Sequence, residues 1–247
     1  MRHYVRFLFG LILLANLASS SLFGQGLPEF RPALLGNGKK SLVNMINAES
    51  LFKRGQRDAT IMFSCGVSNL GYGFGAQVYR CSPNSDLLQQ EVLGRIGQAQ
   101  FEPAVFRHNH VHVWIDGTVT MVVLKGKPHL RIFLNQEESE LKHAGDFISP
   151  QYAIVPGNTK FRGIYWPPGA PGHNGLAAVK ISVDHTGNVS NPKVVYEYPP
   201  NLGFGSAVAG PISDCWFIPG FRNGRIVSCT FTWSVIFFGS GRQMSSG

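Results

Sequence analysis

Phe101-Glu102-Pro103 recurs in this chain as Phe217-Ile218-Pro219, and each copy runs on through an Phe-Arg pair, Phe106-Arg107-His108 in one and Phe221-Arg222-Asn223 in the other. Before these anchors, Leu88, Val92, Ile96 and Ala99 match Phe204, Val208, Ile212 and Cys215 at a constant offset of about 116 residues, a spacing that places one apolar stripe along one helix face. Further back, Ala59, Ile61 and Phe63 alternate as a half-buried strand, and so do Val179, Ile181 and Val183. Strand, strand, helix, Phe-x-Pro and strand in the same order, twice, argue for an internal duplication. A unit of roughly 65 to 70 residues is too long for a solenoid repeat and has the size of a small domain.

The rest of the composition fits short strands and turns. The chain has 247 residues, 44% of them hydrophobic, only 15% charged, with 29 Gly and 15 Pro. The formal net charge is +8, yet the basic residues are scattered and no run exceeds Lys39-Lys40. Nucleic acid is therefore not an expected partner, because no basic stripe concentrates the field.

Arg2, His3 and Arg6 precede an apolar stretch from Phe7 to Leu17, followed by Ala18, Ser19, Ser20 and Ser21. A positive start, a short apolar centre and a small-residue end are the parts of an export signal, placed here at residues 1–24. An uncleaved inner-membrane anchor is the alternative. Export to the periplasm or cell envelope gives the four cysteines meaning, since disulfides persist outside the cytosol. Cys65 with Cys81 and Cys215 with Cys229 are the expected pairs, each within its own copy, four free buried thiols being the other reading. Neither a CxxC pair nor a Cys/His metal spacing occurs.

The chain divides into the signal, a lead-in with a short helix at 25–57, a first copy with an extra strand at 58–146, a Pro/Gly-rich linker at 147–173, a second copy at 174–239 and a tail at 240–247. Asp86 followed by Gln89 resembles a capping box at the start of the first helix. Gly210-Pro211 shortens or kinks the second.

The run from Gly175 through Asp184-His185-Thr186-Gly187-Asn188, then Val194-Val195, Cys215-Trp216-Phe217-Ile218-Pro219, Asn223-Gly224 and a closing strand to Phe237 resembles the TonB C-terminal domain. That family shows a strand, an Asp-x-x-Gly turn, a second strand, a helix ending in Trp-x-Phe-x-Pro, an Asn/Asp-Gly turn and a last strand. The first copy is similar more loosely, through Phe101-Glu102-Pro103-Ala104. The resemblance implies an α+β fold of two tandem small domains, each a three-stranded antiparallel sheet with one helix packed on a face. It also implies a protein-binding module that adds a partner's strand to its own last strand. The candidate partner-binding residues are Ser228, Thr230, Thr232 and Ser234, on the edge of a strand that carries no charge after Arg225. The chain departs from energy-transducing members in lacking a Ser-x-x-x-His anchor and a long Pro-rich spacer, and in having Phe204-Gly205-Ser206-Ala207 where Leu-Asp is usual.

Other patterns point less far. His108, His110 and His112 alternate on a strand and read as a solvent face opposite Val111, Val113 and Ile115, not as a metal site. Gly71-Tyr72-Gly73-Phe74-Gly75 has neither P-loop nor dinucleotide spacing. No nucleophile, base and acid stand in a recognisable arrangement, so no catalytic residue, metal or cofactor is expected and the chain reads as a non-enzyme. The expected function is an exported envelope protein binding an envelope protein or receptor peptide by strand addition, with a link to TonB-dependent transport. The alternative is a structural or scaffolding periplasmic protein that pairs with itself and transports nothing.

Overall fold

A single strand of 16 residues, Asn109–Leu124, organises the first half of the computed structural model. The structure describes residues 26–142, 146–155, 166–170 and 172–237. In chain order the elements are β1 (Phe30–Arg31), α1 (Leu42–Met45), α2 (Ala48–Lys53), β2 (Ala59–Val67), β3 (Gly73–Cys81), α3 (Asp86–Ile96), β4 (Ala104–Phe106), β5 (Asn109–Leu124), β6 (Lys127–Phe133), α4 (Glu138–Leu141) and β7 (Gln151–Ile154). The second half follows with β8 (Gly175–Val183), β9 (Val189–Tyr198), α5 (Phe204–Ala209), a 3-10 turn at Pro211–Asp214, β10 (Phe217–Ile218), β11 (Gly220–Arg222), β12 (Arg225–Val227) and β13 (Cys229–Phe237). The expected signal at 1–24 and the tail at 240–247 lie outside the described residues, as does much of the expected linker.

The expectation of two small three-stranded domains is overturned. The first sheet has eight strands, and β5 pairs with four of them. On one edge it holds β2, from Val113 to Met121, and β4 beside Asn109 to Val111. On the other it holds β6 against Thr118 to Leu124 and β7 against His112 to Trp114. The β6 hairpin forms because Lys125 and Gly126 both take positive φ, 51° and 76°, the two-residue turn whose twist suits antiparallel strands. Strand β7 comes from the segment expected to be linker, and it carries β10 of the second half into the same sheet through Tyr152–Phe217 and Gln151–Ile218. A separate sheet is ordered β13-β8-β9.

Within this larger plan the same local geometry occurs in both halves. In the first, the Phe101 N–H donates to the Gly71 carbonyl at 2.8 Å, and in the second Phe217 donates to Gly187 at 3.0 Å. The Tyr72–Gln100 bridge is matched by Asn188–Trp216. Cys65 faces Ile115 across β2 and β5 just as Ile181 faces Phe231 across β8 and β13. Phe63, Cys65 and Val67 are therefore the counterparts of Val179, Ile181 and Val183, four residues further on than the alternation of Ala59, Ile61 and Phe63 suggests. An apolar strand repeats every two residues, so its pattern alone does not set the register.

Each half buries its Phe. Phe101 packs with Leu88, Val92 and Ile96 of α3, and Phe217 with Phe204, Val208 and Ile212. Full burial of such side chains stabilises by about 1.5–3 kcal/mol each. Ser85, not Asp86, stands at the N-cap of α3 and makes no side-chain cap bond, so the expected Asp86–Gln89 box does not form; the Gln89 amide donates instead to the Ser85 hydroxyl at 2.9 Å. α5 stops at Ala209, before Gly210-Pro211, and its first turn donates from Gly205 N–H to the Glu197 carboxylate at 2.8 Å. The two cores interlock, since Ile218 and Phe221 join the first and Tyr152 the second.

Gly71 and Gly187 close the two repeated turns with φ of +84° and +85°, and a Cβ on either would meet the carbonyl oxygen of Phe101 or Phe217 at 2.2 or 2.1 Å. Gly71→Ala and Gly187→Ala should each cost at least about 2 kcal/mol, because left-handed strain and a backbone clash act together. Urea unfolding of both variants checks this; a loss in only one would show that the two turns are not equivalent.

Candidate functional site

The two sheets meet over a cleft of about 520 Å³, walled by Tyr79 and Arg80 of β3, Ala178 of β8, Tyr196 of β9, and Thr232 and Ser234 of β13. The alternation of β13 decides which of its side chains arrive here. Phe231, Trp233, Val235 and Phe237 are buried in the second core, so Thr230, Thr232 and Ser234 take the opposite face.

The residues expected to receive a partner strand are thus divided in fate. Ser228 lies between β12 and β13. Thr230 is exposed, and its hydroxyl meets that of Ser182 at 3.0 Å. Thr232 has its backbone taken by the chain itself: its N–H donates to the Glu137 carboxylate at 2.8 Å, and its carbonyl accepts from the Gln136 amide at 3.4 Å. Two side chains stand where a partner's backbone would, which is how an edge is closed to other chains. Glu140 of the following helix adds an ion pair with Arg222 of β11 at 2.9 Å. Sequence spacing had no means of showing this cover, because it comes from some 95 residues away.

A polar cluster that sequence reasoning missed runs from the cleft wall, at Tyr79 and Gln136, inward to the buried Ser64 and Asp116. The Tyr79 hydroxyl donates to the Gln136 side-chain amide oxygen, Oε1, and the Trp114 indole N–H donates to the Ser64 hydroxyl. Ser64 and Gln136 also hydrogen-bond to Asp116, which is 8% exposed. Burial pushes the Asp116 carboxyl up to about 7, against the pull of those two bonds. One of its oxygens, Oδ1, finds no partner among the described residues. Burial, then the Asp116 charge, also raises the Tyr79 hydroxyl. The only sequence signal was an Asp at an even position between Trp114 and Thr118, on a strand whose odd positions are apolar.

The structure shows no disulfide at the four cysteines, so neither expected pair is formed in it. Cys65 is buried at the place that Ile181 fills in the other half, and Cys81 lies four residues away along the ladder, opposite Ile61. At about 3.3 Å per strand residue that separation is far beyond the reach of a bridge. Cys215 sits where the first half has the buried Ala99, its thiol donating to the Pro211 carbonyl at 3.6 Å. Cys229 packs instead beside Gly220.

The three histidines are separated in use. His108 lies in the turn before β5, its Nδ1 2.7 Å from the Leu27 carbonyl. His110 is exposed, and His112 meets Phe74 edge-on at 6.4 Å. Among the described residues no three His, Cys, Asp or Glu side chains are grouped to hold a metal ion, and no helix is long and apolar enough to cross a membrane.

One edge of the three-stranded sheet remains open. β9 pairs with β8 and with no other strand among the described residues, and Val194, Val195, Tyr196 and Tyr198 are 38%, 48%, 50% and 59% exposed along it. Asn191, with φ of 54°, and Pro192 interrupt its first part. No protein-family model, curated protein or solved structure matches the chain.

Two outcomes test this description. A carboxyl raised from 3.8 to about 7 in the folded state binds its proton more tightly there than in the unfolded chain. Stability should therefore fall as pH rises from about 4 to 7, by on the order of 4 kcal/mol, and change no further from this group above that range. Asp116→Asn should remove that slope in urea midpoints measured across the same window.

The thiols supply the second outcome. Cys81 is exposed, Cys65 is buried with its thiol pushed up by burial, and Cys229 is pushed up to about 11. Alkylation of the folded chain should label Cys81 first by a wide margin. After denaturation without reductant all four should react, and any cysteine still protected would restore the case for a bridge.

Proposed function

We propose that this chain is an exported envelope protein whose second half binds a partner by β-strand addition, and that the receiving edge is β9. The observation that carries this reading is the set of exposed apolar and aromatic residues on an open edge, Val194, Val195, Tyr196 and Tyr198, beside a cleft that can take side chains of an added strand. The last strand, which the resemblance to TonB C-terminal domains favoured, is the poorer candidate because Glu137 and Gln136 already bond Thr232. Asn191 and Pro192 confine an added strand to about Lys193–Tyr198, so the ladder is short and side chains contribute a large share of the affinity.

The partner is an extended segment of an envelope protein or receptor. A role in TonB-dependent transport belongs to the same proposal and rests on the resemblance of Gly175 to Phe237 alone. No catalytic step is proposed: Asp116 and Ser64 are buried, and Tyr79 and Gln136, which line the cleft, are bonded to each other.

A displayed library of random decapeptides, selected on the full chain, provides the test. Enriched peptides should alternate apolar residues, slow amide exchange on β9, and bind the Tyr196→Glu variant at least about tenfold more weakly. Enriched peptides that protect β13 instead, or that bind both proteins equally, would sink the assignment.

A further inference from the structure

The two hairpin tips of the repeated unit, Ser68–Tyr72 and Asp184–Asn188, are the same turn built with different chemistry. The Ser68 N–H donates to the Tyr72 carbonyl at 2.9 Å, and Asp184 donates to Asn188 at 3.0 Å. The Gly71 N–H reaches the Ser68 carbonyl at 2.8 Å, and Gly187 reaches Asp184 at 3.0 Å. In both, the first side-chain oxygen accepts two backbone N–H groups. Ser68 Oγ takes those of Leu70 and Tyr72 at 3.3 and 2.9 Å, and Asp184 Oδ1 takes those of Thr186 and Asn188 at 2.8 and 3.0 Å. The turn therefore needs its first residue and its Gly. It does not need what stands at the other positions.

At those positions the second half carries Thr186 and Asn188, which bond to each other at 2.7 Å and face solvent. The first half carries Leu70 and Tyr72, 68% and 57% exposed, and Leu70 has the largest exposure of the large hydrophobic residues described. Since an equivalent polar turn closes as well, folding does not account for an exposed Leu and Tyr there. Phe74, the next residue on the same side of β3, differs from them because it packs edge-on against Trp114 at 6.0 Å.

The tip also has charge beside it. Gln100 ties the Lys40 carbonyl, which accepts its N–H at 2.8 Å, to the Leu70 carbonyl, which accepts from its side-chain amide at 2.9 Å. Lys39 and Lys40 are both exposed. The next acidic residue along that strand, Glu102, is half-buried and pairs in the backbone with Leu34.

From this juxtaposition we infer that the Leu70–Tyr72 tip is a membrane-surface anchor, inserting shallowly into an anionic bilayer. A projecting tip of one Leu and one Tyr enters a headgroup layer readily: Leu reaches the acyl boundary, and the Tyr ring sits at the interface with its hydroxyl wet. Lys39 and Lys40, exposed on the segment that Gln100 ties to the tip, would supply positive charge to lipid phosphates, and the chain's excess of basic residues adds to the attraction. This surface is distinct from β9 and does not depend on the strand-addition reading.

The test uses the full chain and vesicles of phosphatidylcholine with or without phosphatidylglycerol, read by amide hydrogen exchange. Exchange at Asn69 to Gly73 should slow at least about fivefold with the anionic vesicles, and the effect should shrink in high salt. In Leu70→Thr with Tyr72→Asn, which installs the residues of the equivalent turn and so keeps the fold, the slowing should vanish. Lys39→Gln with Lys40→Gln should lose the preference for anionic lipid. If the chain attaches through another segment while the tip exchanges as in solution, or if the Thr/Asn variant is protected like the parent, the inference fails.

Discussion

Strand β5 is longer than any of its partners, and most of the architecture follows from that mismatch. Its 16 residues cannot be covered by β2 alone, which pairs from Val113 to Met121. The surplus at the start is met by β4, and the second edge is shared between β6 and β7. An unpaired backbone N–H or C=O buried from water is costly, so these short segments are drawn in to complete the ladder. In the second half the equivalent strand is broken at Ser228 into β12 and β13, and it needs fewer partners.

The same economy explains how the halves are joined. Where β5 has β6 and β7, β13 has the side chains of Gln136 and Glu137 at Thr232. Gln136 also reaches Tyr79 and Asp116, so closure of one sheet's edge is tied to the polar cluster on the face of the other. A buried carboxyl is expensive to ionise, and burial holds Asp116 between Ser64 and Gln136 well above the usual carboxylate range, so the junction carries a pH-sensitive group.

Comparing the repeats separates residues that the fold requires from residues it merely tolerates. Gly71 and Gly187 are required, since neither turn admits a Cβ. Cys65 and Ile181 are interchangeable core fillers, and so are Ala99 and Cys215, which is why reading these cysteines as bridge halves failed. Leu70 against Thr186 is neither kind of pair, and there the difference points outward to a surface.

The sequence by itself determined the local order of strand, hairpin, helix and Phe-x-Pro in each copy. These depend on short-range periodicity and on Gly at a positive-φ turn, both readable from residues a few positions apart. The break of α5 at Gly210-Pro211 was legible for the same reason. Only the tertiary structure decided which edges stay open, that the first sheet grows to eight strands, that Asp116 is buried among partners from Ser64 to Gln136, and that no cysteine meets another. Each of those outcomes rests on pairing between segments far apart in the chain. Alternation with a period of two shows that a strand has an apolar face, but neither which neighbour it lies beside nor in what register.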